Sequence, residues 1–166
     1  QLYVRQECNP GIEYSLNTGP ISFTTALSCG STFQDIGGAG VYPNNMDITP
    51  DIRTICPLTA GDKVIVQFTS FQSENAYDPL YVFDGTSTAA TKIASANGLP
   101  QPSTTPNFGT GGWWNSTLPS NSPAALAAAP QNTGIPGVVI ATNPSGCLTF
   151  AHISDTSVQQ EGWNAT

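Results

Sequence analysis

The sequence predicts an all-β fold, a jelly-roll sandwich of two antiparallel sheets. Three observations carry that expectation. Apolar residues recur in short runs that alternate with period two or read as continuous β-branched and aromatic stretches. Turn formers, among them 16 glycines and 14 prolines, punctuate those runs every few residues. Helical periodicity is nearly absent. Short strands set off by Gly, Pro, Asn and Asp are the sequence form of a sandwich.

Taken in order, residues 1–13 read as an N-terminal extension, in which QLYVRQE alternates Leu2 and Val4 along one side. ISFTTALSC (21–29) reads as a strand. KVIVQFTSF (63–71) sets Val64, Val66 and Phe68 against Ile65, Gln67 and Thr69, the pattern of a strand with one face in the core. LYVFDG (80–85) is a short β run closed by an Asp84-Gly85 hairpin turn. Residues 97–136 break the rhythm. They are dense in Pro, Ser, Thr, Asn and Gly and read as a long loop insertion, a length often tied to function. The best helix candidate, AALAAA at 124–129, is confined by Pro123 and Pro130. VVIAT (138–142) and CLTFAHIS (147–154) are further strands. With no internal repeat and no dividing linker, residues 1–166 are expected to form one domain.

Charge is scarce. Only 9% of residues are charged, against roughly 25% in an average soluble protein. A surface so poor in charge loses little on being buried against another subunit. The net charge is −7, and Arg5, Arg53, Lys63 and Lys92 are the only Lys and Arg residues. Four scattered cations make no basic patch, which excludes nucleic-acid binding and disfavours anionic membranes. Hard cations are the natural partners of such a chain wherever its carboxylates converge. No apolar run approaches the length of a membrane span, so none is expected. Cys8, Cys29, Cys56 and Cys147 include no CxxC pair and accompany a single histidine, His152. That favours an oxidised framework over zinc and leaves three pairings open. Together with Gln1 in place of an initiator methionine, it points to a processed, secreted chain, extracellular or associated with the cell surface.

Three blocks, read together, carry a resemblance. CGSTFQDIGGAGVYPNN (29–45) has a cysteine, an F-x-D-x-GG motif and a Tyr. DKVIVQFTSFQSENAYDPLYVFDG (62–85) runs strand, acidic loop, YD and DG turn. GCLTFAHISDTSVQQEGWNA (146–165) follows the ending L-x-F-x-S-D-x-S…G-[FW]-x-A. In this order and spacing, from about Tyr14 to Thr166, the chain resembles the CUB domain. That is an extracellular β-sandwich that mediates binding, here in the form found on exported bacterial surface proteins. Departures from the family pattern are Ala76 and Tyr77 in place of a cysteine before the YD aspartate, and the longer loop at 97–136.

The resemblance implies a calcium site. CUB domains that bind Ca2+ use a loop glutamate, the YD aspartate and the SD aspartate. The matching residues are Glu74, Asp78 and Asp155, with the Ser157 hydroxyl as a fourth contributor. Three carboxylates suit a cation that takes six to eight hard oxygens. The alternative is that Asp78 and Asp155 only cap turns. The family's cysteine pairing does not carry over whole. Position against the strands favours Cys56 with Cys147, closing a long loop, and Cys8 with Cys29, tying down the N-terminal segment.

Trp113 and Trp114 are candidates for a binding surface, or for a small core of their own loop. Asp35 before Gly37-Gly38 reads as a turn. Asn115-Ser116-Thr117 and Asn164-Ala165-Thr166 fit the N-glycosylation pattern. Catalysis has little support. His152 and Ser154 lie on one strand with Asp155 just beyond, so they do not converge as a triad, and no enzyme is expected. The expected function is a non-catalytic structural or adhesion subunit that self-associates, as an oligomer or filament, through low-charge surfaces and strand edges. A last strand ending at Thr166 is expected to leave an edge open to a neighbour's QLYVRQE segment. The alternative is a monomeric, calcium-dependent CUB module that binds a glycan or protein within a larger secreted protein.

Overall fold

The computed structural model describes residues 27–101, 108–115 and 136–166 in full, with the backbone of four strands before them. There is no helix among the described residues. The strands among the described residues are β1 (Leu2–Val4), β2 (Glu7–Asn9), β3 (Glu13–Tyr14), β4 (Thr18–Ile21), β5 (Phe33–Gln34) and β6 (Asp51–Ile55), then β7 (Ile65–Gln72), β8 (Leu80–Asp84), β9 (Thr91–Lys92), β10 (Val138–Ile140), β11 (Leu148–His152) and β12 (Gly162–Ala165). Two four-stranded antiparallel sheets, β10-β7-β12-β5 and β6-β11-β8-β9, form a β-sandwich. β1 pairs with β4 and β2 with β3 in ladders that belong to neither sheet.

The alternation read along β7 holds for its first half. Val66 and Phe68 are buried while Ile65 and Gln67 are exposed. The ladder to β12 then slips between Asn164 and Ala165, which pair with Ser70 and Phe68. The extra residue resets the phase, so that Phe71 becomes the next inward side chain. β8 and β11 carry no alternation, because both faces of each are covered. Leu80, Val82, Leu148 and Phe150 enter the main core with Phe33, Phe68, Trp113 and Trp163. Tyr81, Phe83, Ala151 and Ile153 form a smaller cluster under Phe108. Phe150 lies 4.9 Å from Phe33 between ring centroids. Burying each such side chain contributes about 1.5–3 kcal/mol.

The last strand is not an open edge. β12 lies inside its sheet, paired with β7 and, through Asn164 and Ala165, with β5. Where β5 stops, the buried Asp35 takes over the pairing, accepting the Trp163 N–H at 2.8 Å and the Gly37 N–H at 2.6 Å. Gly162 makes room for it: its φ is +68°, and a Cβ there would sit 2.0 Å from Asp35 Oδ2. Asn164 bonds Gln34 and Ser70 from within the sheet, and Asn115 is 7% exposed, so neither sequon asparagine is displayed.

Other expectations need correction. Among the described residues of the segment 21–29, Ile21 ends β4, Leu27 and Ser28 are irregular and Cys29 enters a turn with Gly30. Residues 22–26, the helix candidate at 124–129 and most of the 97–136 loop lie outside the described residues. The strand stapled by the disulfide is β6, which sequence reading missed. Cys56 and Cys147 are bonded just beyond the Ile55–Leu148 pair, with Cα atoms 4.2 Å apart. The second expected bridge, Cys8 with Cys29, falls partly outside the described residues; at its described end Cys29 is exposed with a free thiol. The Cys8 side chain lies outside the described residues. No helix among the described residues is long and apolar enough to cross a membrane.

Candidate functional site

β7, β8 and β11 all run the length of the sandwich, so their ends fix which loops meet. Glu74 follows β7, Asp78 precedes β8 and Asp155 follows β11. One carboxylate oxygen from each lies within 4.8 Å of the others. The sequence-expected trio is therefore brought together at one end of the fold.

A buried tyrosine organises it. The Tyr42 hydroxyl donates to Asp78 Oδ2 at 2.7 Å and accepts the Glu74 backbone N–H at 3.0 Å. Asp78 Oδ1 accepts the Asp155 N–H at 2.9 Å. Asp155 in turn accepts the Ser157 N–H at 2.9 Å, so the exposed Ser157 is placed beside the trio through its backbone. The loop after Tyr42 is strapped to the same region. Asn45 N–H donates to the Asp155 carbonyl, Asp47 N–H to the Ser154 carbonyl, and Asn44 Nδ2 to the Thr156 carbonyl. Tyr42 was legible only as part of the first motif block; nothing in the sequence assigned it this bridging role.

The electrostatics are strained. Burial, together with the charges of Asp155 and Glu74, pushes the Asp78 carboxyl up to about 7, although its hydrogen bonds from Asp155 and Tyr42 pull the other way. Glu74 is raised by partial burial and by Asp155. Tyr42 is held well above its ordinary range by burial and by Asp78. Three carboxylates this close repel unless protons or a cation intervene. Glu74 Oε2 is buried without a hydrogen-bond partner. An orphaned carboxylate oxygen beside two other hard oxygen donors suits Ca2+. The three non-glycine residues with left-handed backbone among the described residues, Asn45, Ala76 and Val158, sit in the three loops that build this end.

The other candidates take structural places. Trp113 is fully buried and not a binding surface. It pairs with Leu80 as an added strand position and donates its indole N–H to the Ile93 carbonyl at 3.0 Å. Trp114 is half-buried. Asp84 ends β8 at the β8–β9 connection and latches it to the β10–β11 loop, accepting the Thr142 N–H at 2.9 Å and Asn143 Nδ2 at 2.6 Å. Those bonds outweigh its desolvation and hold it down to about 2. His152 is fully buried, 4.8 Å from the Tyr42 ring and 5.1 Å from Trp163, and burial depresses its imidazole to about 3. Ser154 donates to the Pro43 carbonyl and accepts the Met46 N–H. These two side chains are thus committed to packing and loop anchoring.

Neither a scan against protein-family models nor a search of curated proteins gives a match to this chain.

Proposed function

We propose that the chain is a non-catalytic, exported module of the CUB-like jelly-roll class that self-associates, with Glu74, Asp78 and Asp155 as the residues that would hold Ca2+. The convergence of three carboxylates, one with an orphaned buried oxygen, carries this reading. Bound there, Ca2+ would supply the charge that ties the Glu74–Asp78 loop to the one after β11. Its remaining coordination would come from backbone carbonyls and water. Self-association is supported by the outer face of the β7–β10 pair. Ile65 and Ile140 lie directly opposite each other there, 57% and 45% exposed, beside Gln67 and Val138, with no charged side chain among the four. The Cys56–Cys147 bond fits an oxidising compartment.

A second reading is a monomeric calcium-dependent binder of a glycan or protein. It draws on the exposed Ile48, Tyr77 and Val158, which lie in the loops of the acidic end.

Electron microscopy and sedimentation of the native protein, in Ca2+ and in chelator, test both readings, with calorimetry for the ion. Calcium uptake is expected, weakened at least about tenfold by Glu74→Gln through loss of one ligand charge. No uptake at about 10⁻³ M Ca2+ would remove the metal assignment. A strict monomer at high concentration in Ca2+ would remove self-association and leave the second reading.

A further inference from the structure

β10 is an edge of its sheet, paired with β7 and with no other described strand. The Gly137 carbonyl accepts the Phe68 N–H at 3.0 Å, and the Ala141 N–H donates to the Val64 carbonyl at 3.0 Å. Odd-numbered residues of this segment therefore bond inward to β7. In an antiparallel ladder they alternate with residues whose N–H and C=O groups point the other way. Here those residues are Val138 and Ile140, and among the described residues nothing takes their outward groups. Natural edges are commonly blunted by a charge, a proline or a bulge. β10 has none of the three.

The outward donors stop sharply on both sides of Val139. Pro136 has no N–H to offer, and the Thr142 N–H is held by Asp84 Oδ1 at 2.9 Å. A second copy of the strand, antiparallel about a two-fold axis at Val139, sets Val138 opposite Ile140 and Ile140 opposite Val138. Each such pair exchanges both its N–H···O bonds, so both donors find acceptors. Moving the axis to Gly137 puts Val138 against Pro136. Moving it to Ala141 puts Ile140 against the occupied Thr142. The strand thus complements itself in one register. The side chains agree. On the outer face the copy's Val138 extends the row made by the exposed Ile65 and Ile140 and gives it apolar cover. The row runs on from Ile65 into an apolar groove of about 620 Å³ beside the Cys56–Cys147 bond, where Ile55 and Leu58 also lie. No charged side chain stands on the strip of Ile65, Gln67, Val138 and Ile140, which matters when a chain of net charge −7 meets its own kind.

We propose that two copies of the chain join β10 to β10, edge to edge about a two-fold axis at Val139, and so make one continuous sheet across the pair. The inference rests on the self-association reading above and names its contact and register.

The test mixes equal amounts of two full-length variants, Val138→Cys and Ile140→Cys, oxidises them with glutathione disulfide and digests them for mass spectrometry. In the proposed register positions 138 and 140 of different copies lie directly opposite, with Cα atoms about 5.5 Å apart, inside the range a disulfide spans. Like positions are diagonal neighbours at about 7–8 Å, outside it. Bridges between 138 and 140 should therefore outnumber 138–138 and 140–140 bridges at least about tenfold. Each variant carries one of the two substitutions, so a 138–140 bridge joins two copies. Ile140→Pro removes an outward N–H and leaves the β7 ladder its bonds, and it should weaken association at least about tenfold in sedimentation. Ile140→Lys keeps the backbone as it is and should weaken association in the same direction. Like bridges as frequent as mixed ones, no bridge at these positions, or both variants associating as the wild type does would overturn the inference. Sedimentation of the unaltered chain separates the failures. Association without the 138–140 bridge refutes this contact alone, whereas a strict monomer at high concentration refutes self-association itself.

Discussion

The two ends of the sandwich are built on opposite principles. At one, β6 and β11 are locked by a covalent bond beside an apolar groove. At the other, three loops are held by hydrogen bonds around carboxylates that repel. Local preference is obeyed at the first end and violated at the second: the three left-handed non-glycine residues and Asp78, whose carboxyl is pushed up to about 7, lie at the acidic end. Strain and electrostatic conflict persist where the surrounding structure imposes them, and that is where a ligand gains most by relieving them.

The largest expected effect concerns the covalent end. The bond closes a loop across a sequence separation of 91. Replacing both Cys56 and Cys147 by Ala should cost about 2–5 kcal/mol of unfolding free energy, measured by denaturant titration in chelator. Calcium affinity should be nearly unchanged, because the strands separate the two ends. A stability loss below about 1 kcal/mol would show that apolar packing, not the bond, holds β6 to β11.

At the acidic end the sharpest contrast is in pH dependence. Asp78 is an acid whose pKa rises on folding, to about 7. Its contribution to stability is full below the unfolded value near 4 and is lost as pH rises through about 7. His152 is a base whose pKa falls on folding, to about 3. Its contribution is present above an unfolded value of about 6.5 and is lost as pH falls towards 3. In metal-free protein the two slopes therefore oppose each other between about pH 4 and 6.5, and stability should be nearly level there. Asp78→Asn should leave stability rising with pH in that window, by at most about 1.4 kcal/mol per unit. His152→Phe should leave it falling. Variants with the wild-type profile would mean that neither group is desolvated as the fold places it.

Much of this contrast was legible in the sequence, for different reasons at the two ends. β7 announced itself by alternation, and β8 and β11 by continuous apolar runs. β6 did not, because Asp51 and Arg53 interrupt its β-branched residues and, as an edge strand, it alternates half-buried with exposed. The disulfide partners followed from strand ends, but which strand was stapled did not. The carboxylate trio was readable because a motif resemblance linked residues that no local pattern connects. What stayed hidden was set by tertiary contact. Tyr42 reaches 36 residues along the chain to Asp78. Trp113 leaves a polar loop to complete the core, because it pairs with Leu80.

The smallest effect tests whether the strain serves the site. Val158 holds φ at 58°, a conformation that costs a β-branched residue roughly 1–2 kcal/mol. It is 52% exposed, so its removal sacrifices little burial. Val158→Gly relieves the clash but gives the unfolded chain more freedom, worth about 0.5–1 kcal/mol against folding. The net should be a gain in metal-free stability of no more than about 1 kcal/mol. If the strain is the cost of holding the turn after Asp155 in a calcium-ready shape, the same change should weaken Ca2+ binding a few-fold, because glycine leaves that turn free to wander. A variant that is more stable and binds Ca2+ equally well would separate the strain from the site, and would make the acidic end a purely structural counterpart of the stapled one.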